Sequence, residues 1–226
     1  MKKLKEIIKK INKKINLKLW NFFYNVVFIK PCYLLVNKLN KNSIVVDFGT
    51  GNDADFSIAL IERYGLKSFG FDPTKKHFVS LKKIEDKYHG KFNIYQLALS
   101  LRDKNKIFYE SGENVSGSFM DDHINIKNDT INSYKVKVIA IDELLKFLNI
   151  ERIDLLKIDV EGEEYKVIPK IKEDFLSRVD QLIVEFHHHC LDNYSLQDTL
   201  GCVDFIKGFG FKALTLDKIN YLFFRA

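Results

Sequence analysis

Residues 43–53 read SIVVDFGTGND, a short hydrophobic run that ends in an acidic residue and a glycine turn. The run is rich in β-branched residues and has the length of a buried strand. A helical pattern follows at 54–64, so this stretch predicts a strand, a tight turn and a helix. Glycine permits the sharp turn, and the start of the helix offers free N–H groups to a ligand.

The same alternation of strands and helices continues along the chain. Further strands are predicted at 67–71, 92–97, 153–159 and 181–187, with a terminal pair at 211–216 and 221–224, and helices at 74–88, 142–148, 163–171 and 195–207. This alternation is typical of a parallel sheet covered by helices on both faces. We predict an α/β fold with a mostly parallel seven-stranded sheet, in which ligands bind beyond the carboxyl ends of the strands.

Composition places the chain among globular proteins. It has 226 residues, of which 46% are hydrophobic, enough for one complete core. Three cysteines without a CxxC pair argue against a disulfide framework and a structural zinc site. No stretch has the uninterrupted apolar length of an export signal or a membrane span, so we expect a cytoplasmic protein. We predict two parts, a basic amphipathic helical segment at 1–40 and a catalytic or binding domain at 41–226.

The N-terminal segment holds the excess positive charge. Residues 1–20 carry eight lysines and one glutamate within a net charge of +6, so the rest of the chain is close to neutral. Apolar residues recur there at three- and four-residue steps, which predicts an amphipathic helix. Two interpretations stay open: peripheral contact of residues 1–20 with anionic lipid, or packing of the apolar stripe on the domain or a partner subunit. The neutral body argues against nucleic acid as a partner.

Turns after the first two strands predict a cofactor that contains adenosine. Asp72 lies about 20 residues after Gly51, where an acid accepts hydrogen bonds from ribose hydroxyls. The dinucleotide pattern GxGxxG is incomplete, because Ala54 replaces the third glycine, and acidic residues in the turn would repel a pyrophosphate. An acidic turn instead favours S-adenosylmethionine, which carries a cationic sulfonium. The predicted cofactor-binding residues are Asp47, Gly49, Thr50, Gly51, Asp72 and Pro73.

The stretch IDLLKIDVEGE at residues 153–163 carries the strongest sign of chemistry. With the two-residue period of a strand, Lys157, Asp159 and Glu161 lie on one side. Buried parallel strands ordinarily carry apolar groups on both faces, so these charges need a reason. We predict that Asp159 is a general base or an acceptor for a substrate hydroxyl, with Lys157 offsetting its charge and Glu161 nearby. The alternative is a structural ion pair between Lys157 and Asp159.

A second polar strand end reads QLIVEFHHH at residues 181–189. Glu185 and His187 share one face there, and His187 is a rival general base, because imidazole accepts a proton near neutral pH. A metal site formed by Asp159, Glu185 and a histidine has weaker support, because three adjacent histidines are not a ligand-spacing motif on a strand. The predicted site therefore contains no metal ligand. Its catalytic residues are Asp159, His187, Lys157 and Glu161.

Three blocks of sequence resemble the FkbM-type S-adenosylmethionine-dependent methyltransferases: residues 47–57 leading to 71–74, residues 153–163, and residues 183–187. The middle block is the most specific of the three. The resemblance implies a class I methyltransferase domain at 41–226, with the turn after the first strand near the methionine and ribose of the cofactor and Asp72 at the ribose. It also implies methyl transfer to oxygen, often to a sugar hydroxyl of a surface glycan or a secondary metabolite.

Two other functions stay open at this point. One is an NAD-dependent oxidoreductase, which the missing third glycine disfavours. The other is a non-catalytic module of the same fold that uses the basic helix at a membrane surface. A nucleic-acid methyltransferase has less support, because the body has no basic excess. We expect acceptor specificity in the polar stretch at 111–133, which lies between strands predicted at 106–110 and 135–140.

Overall fold

The computed structural model describes residues 2–30, 32–35, 38–101, 105–127 and 129–225, with the backbone alone for residues 2–10. In chain order its helices and strands are α1 (Lys2–Tyr24), β1 (Val26–Ile29), β2 (Cys32–Leu35), β3 (Ile44–Phe48), α2 (Asp55–Tyr64), β4 (Lys67–Phe71), α3 (Lys75–Lys87), β5 (Phe92–Tyr95), β6 (Ala98–Ser100), β7 (Asn105–Ser111), β8 (Gly117–Ser118), α4 (Ile124–Lys127), β9 (Ile131–Ala140), α5 (Leu144–Leu148), β10 (Ile153–Ile158), α6 (Glu164–Val167), α7 (Glu173–Ser177), β11 (Val179–Glu185), α8 (Leu196–Lys207), β12 (Lys212–Thr215) and β13 (Asn220–Phe224).

The main sheet has seven strands in the order β5-β4-β3-β10-β11-β13-β12. Strand β13 pairs antiparallel with β11 and β12, and the other neighbours are parallel. The predicted α/β fold with a mostly parallel seven-stranded sheet is thus confirmed. Strand order reverses between β3 and β10, and ligands of open α/β sheets bind at such a switch point.

Hydrophobic cores cover both faces of this sheet, as predicted. One face packs against α5, α6, α7 and α8. The other packs against α2, α3 and the hairpin β1-β2. In β3, the fully buried Val45 faces one core, while Val46 and Phe48 face the other. Successive apolar side chains of this strand are thus buried on opposite faces of the sheet. Burial on both faces anchors the strand and, with it, the turn that follows.

The N-terminal segment contains a hairpin after its helix, which the prediction of a helical segment did not include. Helix α1 ends at Tyr24 because Asn25 has a left-handed φ of 55° and its N–H bonds back to the carbonyl of Asn21 at 2.8 Å. The next residues pair as the antiparallel strands β1 and β2. The side chain of Gln181 bonds both the N–H and the carbonyl of Leu35, which joins the hairpin to the main sheet. The domain boundary at residue 41 stays a prediction.

Helix α1 has one packed side and one exposed apolar side. Trp20 contacts Tyr33 and Tyr24 contacts Phe224, with ring centroids 5.9 and 5.3 Å apart. Five apolar side chains are exposed, among them Phe22 at 80%: Ile11, Ile15, Leu19, Phe22 and Phe23. The helix packs on the domain through Trp20 and Tyr24 and not through the described part of the predicted stripe, because Ile11, Ile15 and Leu19 are exposed. Contact of that exposed stripe with lipid or with a partner subunit stays a prediction. Among the described helices, none is both long and apolar enough to cross a membrane.

An insert between β5 and α5 forms a second, four-stranded sheet in the order β6-β9-β7-β8. The strands predicted at 106–110 and 135–140 are confirmed as parts of β7 and β9, which pair antiparallel. The polar stretch between them is more than a loop, because it contains β8 and α4. Phe108 packs edge-on against Phe119 in this insert, with centroids 5.6 Å apart. The insert thereby forms a wall beside the carboxyl ends of the main sheet.

Candidate active site

A cavity opens at the switch point of the sheet. It encloses about 580 Å³ of empty space, including its opening to solvent. Turns after β3, β4 and β10 form its floor, and Phe108 and Phe119 of the insert form its opposite wall. Of the ten predicted site residues, those that line it are Gly49, Gly51, Asp72, Pro73, Asp159 and Glu161. The strand-end motifs therefore converge on one cavity.

The turn after β3 contains two glycines in the left-handed region, Gly49 with φ of 78° and Gly51 with φ of 73°. A Cβ atom on Gly49 would lie 1.8 Å from the backbone oxygen of Asp159, so no side chain fits there. A Cβ atom on Gly51 would meet nothing within 4 Å. Gly49 thus allows two turns to touch, and Gly51 leaves the backbone open to a ligand.

The second predicted motif places a carboxylate on the cavity wall. Asp72 accepts hydrogen bonds from the N–H of Thr74 at 2.8 Å and from the N–H of Gly51 at 2.9 Å. His77 Nδ1 lies 3.3 Å from the same carboxylate. The buried Nε2 of His77 has no hydrogen-bond partner among the residues that the structure describes. Because buried polar atoms are ordinarily paired, His77 offers an unused hydrogen bond to a ligand in the cavity.

Asp47 and Thr50 lie behind the cavity. The buried Asp47 carboxylate accepts a hydrogen bond from the Ser57 hydroxyl at 2.8 Å. The Thr50 hydroxyl donates to the carbonyl of Asp47 at 2.9 Å. Both side chains hold the glycine turn in place, and neither belongs to the cavity lining. Direct contact of these two residues with a cofactor stays a prediction.

Lys157 connects the turn after β3 with the turn after β10. Its Nζ lies 3.1 Å from Asp159 Oδ2 and 3.2 Å from Asp47 Oδ1, and it donates to the carbonyl of Gly49 at 3.0 Å. Burial alone would lower the pKa of Lys157, but the carboxylates of Asp159 and Asp47 outweigh burial and raise this pKa well above its ordinary value. Lys157 is therefore charged, and the predicted ion pair with Asp159 is present.

The strand-like alternation predicted for Lys157, Asp159 and Glu161 does not extend to Glu161. Strand β10 ends at Ile158, and Glu161 has a left-handed φ of 51°, followed by Gly162 at 108°. The turn brings the Glu161 carboxylate back, so that Oε2 lies 3.4 Å from His187 Nε2. The carboxylates of Asp159 and Glu161 thus lie at the same site. A turn brings them together there, and not the alternation of side chains along a strand. A left-handed glutamate is strained, and such residues cluster at functional sites.

His187 is buried at the end of β11 and lies behind the cavity lining. Its Nδ1 lies 3.0 Å from Glu164 Oε1, and its Nε2 lies 3.5 Å from Asp159 Oδ1. Burial alone would lower the pKa of His187, but Glu164, Glu161 and Asp159 outweigh burial and raise this pKa well above its ordinary value. The imidazole is consequently cationic at neutral pH in this arrangement. A cationic imidazole cannot accept a proton, which weakens His187 as a general base.

Two further residues hold this cluster, and neither is predicted from the sequence. Glu164 is fully buried against His187, and His123 of the insert is fully buried with Nε2 2.8 Å from Glu161 Oε2. Glu164 belongs to a run of acids that resembles an ordinary helix start, and His123 lies in a stretch without periodicity. Glu185 is the last residue of β11 and so lies at the same edge of the sheet. Burial and the neighbouring charge of Asp159 raise the pKa of Glu185 to about 7.

A family model described as the methyltransferase FkbM domain matches residues 19–212. The chain belongs to the FkbM methyltransferase family. The match confirms the resemblance drawn from the three sequence blocks, and all of these blocks lie within it. As an FkbM family member the chain is a methyltransferase, and its sheet is that of the class I fold. No curated protein matches the chain.

Solved structures of methyltransferases are similar to the chain at low sequence identity. An rRNA methylase from Streptococcus thermophilus has a TM-score of 0.44 and 13% identity, covering 83% of this chain and 87% of its own. A precorrin-6y C5,15-methyltransferase from Geobacter metallireducens has a TM-score of 0.46 and 12% identity, covering 84% and 85%. At this level of similarity, neither structure bears on the substrate of this FkbM protein.

Proposed function

We propose that this protein transfers a methyl group from S-adenosylmethionine to a hydroxyl oxygen, with a sugar hydroxyl of a surface glycan or a related metabolite as the acceptor. One observation carries the proposal. The cavity is lined by Asp72 and His77, which follow β4, and by the carboxylate of Asp159, which follows β10. We assign the first group to a nucleoside and the carboxylate of Asp159 to an acidic proton.

Asp72 and His77 fit the nucleoside of the cofactor. Each carboxylate oxygen can accept more than one hydrogen bond, so Asp72 can hold its backbone contacts and still accept from ribose hydroxyls. His77 Nε2, buried and unpaired among the described residues, adds a polar contact. The open position at Gly51 lets the ligand approach the backbone closely. When bound, the cofactor supplies an electrophilic methyl group.

Asp159 is the residue that we assign to the acceptor proton. It lines the cavity, whereas His187 does not, and its side chain is 22% exposed. The acceptor oxygen forms a bond to the methyl carbon as the carbon–sulfur bond breaks, and the bonding pair stays on sulfur. The hydroxyl proton passes to Asp159 and then to solvent. Lys157 keeps the carboxylate in position through Oδ2, and positioning contributes much of the rate.

The insert supports a sugar as the acceptor. Its Phe108 and Phe119 face the cavity, and the small residue Gly117 lies beside them. Aromatic rings pack well against the C–H faces of sugars, while carboxylates accept hydrogen bonds from sugar hydroxyls. Both kinds of group line the cavity. Gly117 and Phe119 belong to the stretch 111–133, in which we predict acceptor specificity, and Phe108 precedes it.

A labelling assay tests the proposal. The purified protein is incubated with methyl-tritiated S-adenosylmethionine and a panel of monosaccharides and oligosaccharides. We expect acceptor-dependent transfer of label that resists mild alkali, because a methyl ether survives conditions that hydrolyse a methyl ester. Label found as an alkali-labile ester, or transferred to RNA in preference to every sugar, would contradict the proposal. The Asp159→Asn variant serves as the low-activity control.

A further inference from the structure

Three side chains with metal-binding atoms, two of them in the cavity lining and one directly behind it, lie close together. Asp159 Oδ1 and Glu161 Oε2 lie 3.5 and 3.4 Å from His187 Nε2. All three donor atoms lie within 4.8 Å of one another. The residues come from the ends of two neighbouring strands, β10 and β11. They therefore share a rigid support rather than a single loop.

The spacing fits a shared cation better than direct hydrogen bonds. A charge-assisted N–H···O bond has a donor–acceptor distance of about 2.7–2.9 Å. Both contacts of His187 Nε2 are longer than this. Nitrogen and oxygen ligands about 2.1 Å from one metal stand about 3.0 Å apart at the right angle of an octahedral site and about 3.4 Å apart at a tetrahedral angle. The distance from His187 Nε2 to each carboxylate oxygen thus resembles the distance between two ligands of one metal. Nε2 forms no short hydrogen bond with either carboxylate.

His187 is held in the way that metal-ligating histidines are held. The residue is 4% exposed, and its Nδ1 is bonded by the carboxylate of Glu164, which is 0% exposed. A carboxylate on one ring nitrogen orients the other nitrogen toward a metal and fixes the tautomer. Nε2 is the nitrogen that faces Asp159 and Glu161. On the far side, His123 supports the Glu161 carboxylate at 2.8 Å.

Charge provides an independent argument. Among the described residues, His187 lies within 3.5 Å of three carboxylates, those of Asp159, Glu161 and Glu164. Lys157 is engaged by Asp47 and by the other oxygen of Asp159. Even a protonated imidazole leaves negative charge in excess at this partly buried edge, and such charge is costly without compensation. A divalent cation would supply the missing positive charge.

We propose that Asp159 Oδ1, Glu161 Oε2 and His187 Nε2 bind one divalent cation, with Mn²⁺ as the matching metal. Two of the three ligands are carboxylate oxygens, which suit Mn²⁺, and Mn²⁺, as a first-row transition metal, also accepts an imidazole nitrogen. Binding displaces the proton from Nε2 when His187 carries one. The cation would orient an acceptor hydroxyl and make it more acidic, and this role rests on the proposed function. Binding of the cation to the three residues does not depend on that function.

Titration with Mn²⁺ alone tests the site. The full-length protein is freed of metal with a chelator, and free Mn²⁺ is followed by electron paramagnetic resonance. We expect one equivalent of Mn²⁺ to be bound by the wild type. Glu161→Gln and His187→Gln remove a ligand and are expected to abolish binding in the measured range. Glu164→Gln leaves the ligands in place and is expected to weaken it by about 10- to 100-fold.

Glu173→Gln is the matched control, because it removes an exposed carboxylate on α7, outside the ligand cluster. Its affinity for Mn²⁺ is expected to stay close to wild type. Circular dichroism identifies any variant that fails to fold. An undiminished signal of free Mn²⁺ with the wild type would exclude the site, as would equal affinity in Glu161→Gln.

Binding of S-adenosylhomocysteine in chelator reports on the proposed function separately. Normal Mn²⁺ binding with no nucleoside binding would overturn the proposed function and leave the metal site standing. Normal nucleoside binding with no Mn²⁺ binding would exclude the metal site and leave the proposed function standing.

Discussion

Replacing Gly49 with alanine is expected to lower the free energy of unfolding by about 4 kcal/mol or to prevent folding. Two costs add at this position. The φ of 78° costs an alanine about 1–2 kcal/mol. Its Cβ atom would also lie 1.8 Å from the backbone oxygen of Asp159, and overpacking typically costs about 1–3 kcal/mol. Urea denaturation followed by circular dichroism measures the loss.

Gly90→Ala separates the two costs. Gly90 has nearly the same φ, 76°, and a Cβ atom there would meet nothing within 4 Å. This variant is expected to lose only the backbone cost of about 1–2 kcal/mol. Equal losses in the two variants would mean that the turns after β3 and β10 do not touch as described. The close approach is what brings Asp159 to the cofactor cavity.

Asp159→Asn is expected to lower kcat by about 10²- to 10⁴-fold, the usual contribution of a general base. Affinity for S-adenosylhomocysteine is expected to remain nearly unchanged, because we assign the nucleoside to Asp72 and His77, which line the cavity after β4. The variant is expected to fold, since Lys157 keeps Asp47 as a partner at 3.2 Å. Initial rates of methyl transfer and calorimetric binding measure the two quantities.

The control for this experiment is Asp86→Asn, which removes an exposed carboxylate on α3. Its rate and affinity should match those of the wild type. An unchanged kcat in Asp159→Asn would remove this residue from the chemistry. A parallel loss of rate and of nucleoside affinity would instead assign Asp159 to cofactor binding.

Local patterns in the sequence account for most of the fold. Alternation of β-branched runs with helical periodicity is a short-range signal, and it predicted the seven strands of the main sheet. The hairpin β1-β2 escaped prediction, because its strands have four residues each and follow a long, lysine-rich helical pattern. Its place against the sheet depends on Gln181, which lies 146 positions away from Leu35. No local pattern contains such a contact.

The site was predictable where strand ends determine position. Gly49, Asp72 and Asp159 each follow a strand directly, so chain position alone brings them to one edge. His123 reaches the site only because the insert folds against the main sheet, and that contact leaves no periodicity in the sequence. For Glu161 the sequence predicts the site but not the local structure, because a left-handed turn and not a strand directs its side chain.

Calorimetric titration with S-adenosylhomocysteine, and in parallel with NAD, tests the central claim most directly. The wild type is expected to bind S-adenosylhomocysteine saturably and NAD not at all. Asp72→Ala should lose this binding, because its carboxylate is the group that we assign to the ribose hydroxyls. Binding of NAD in preference to S-adenosylhomocysteine, or nucleoside binding that Asp72→Ala leaves intact, would contradict the account.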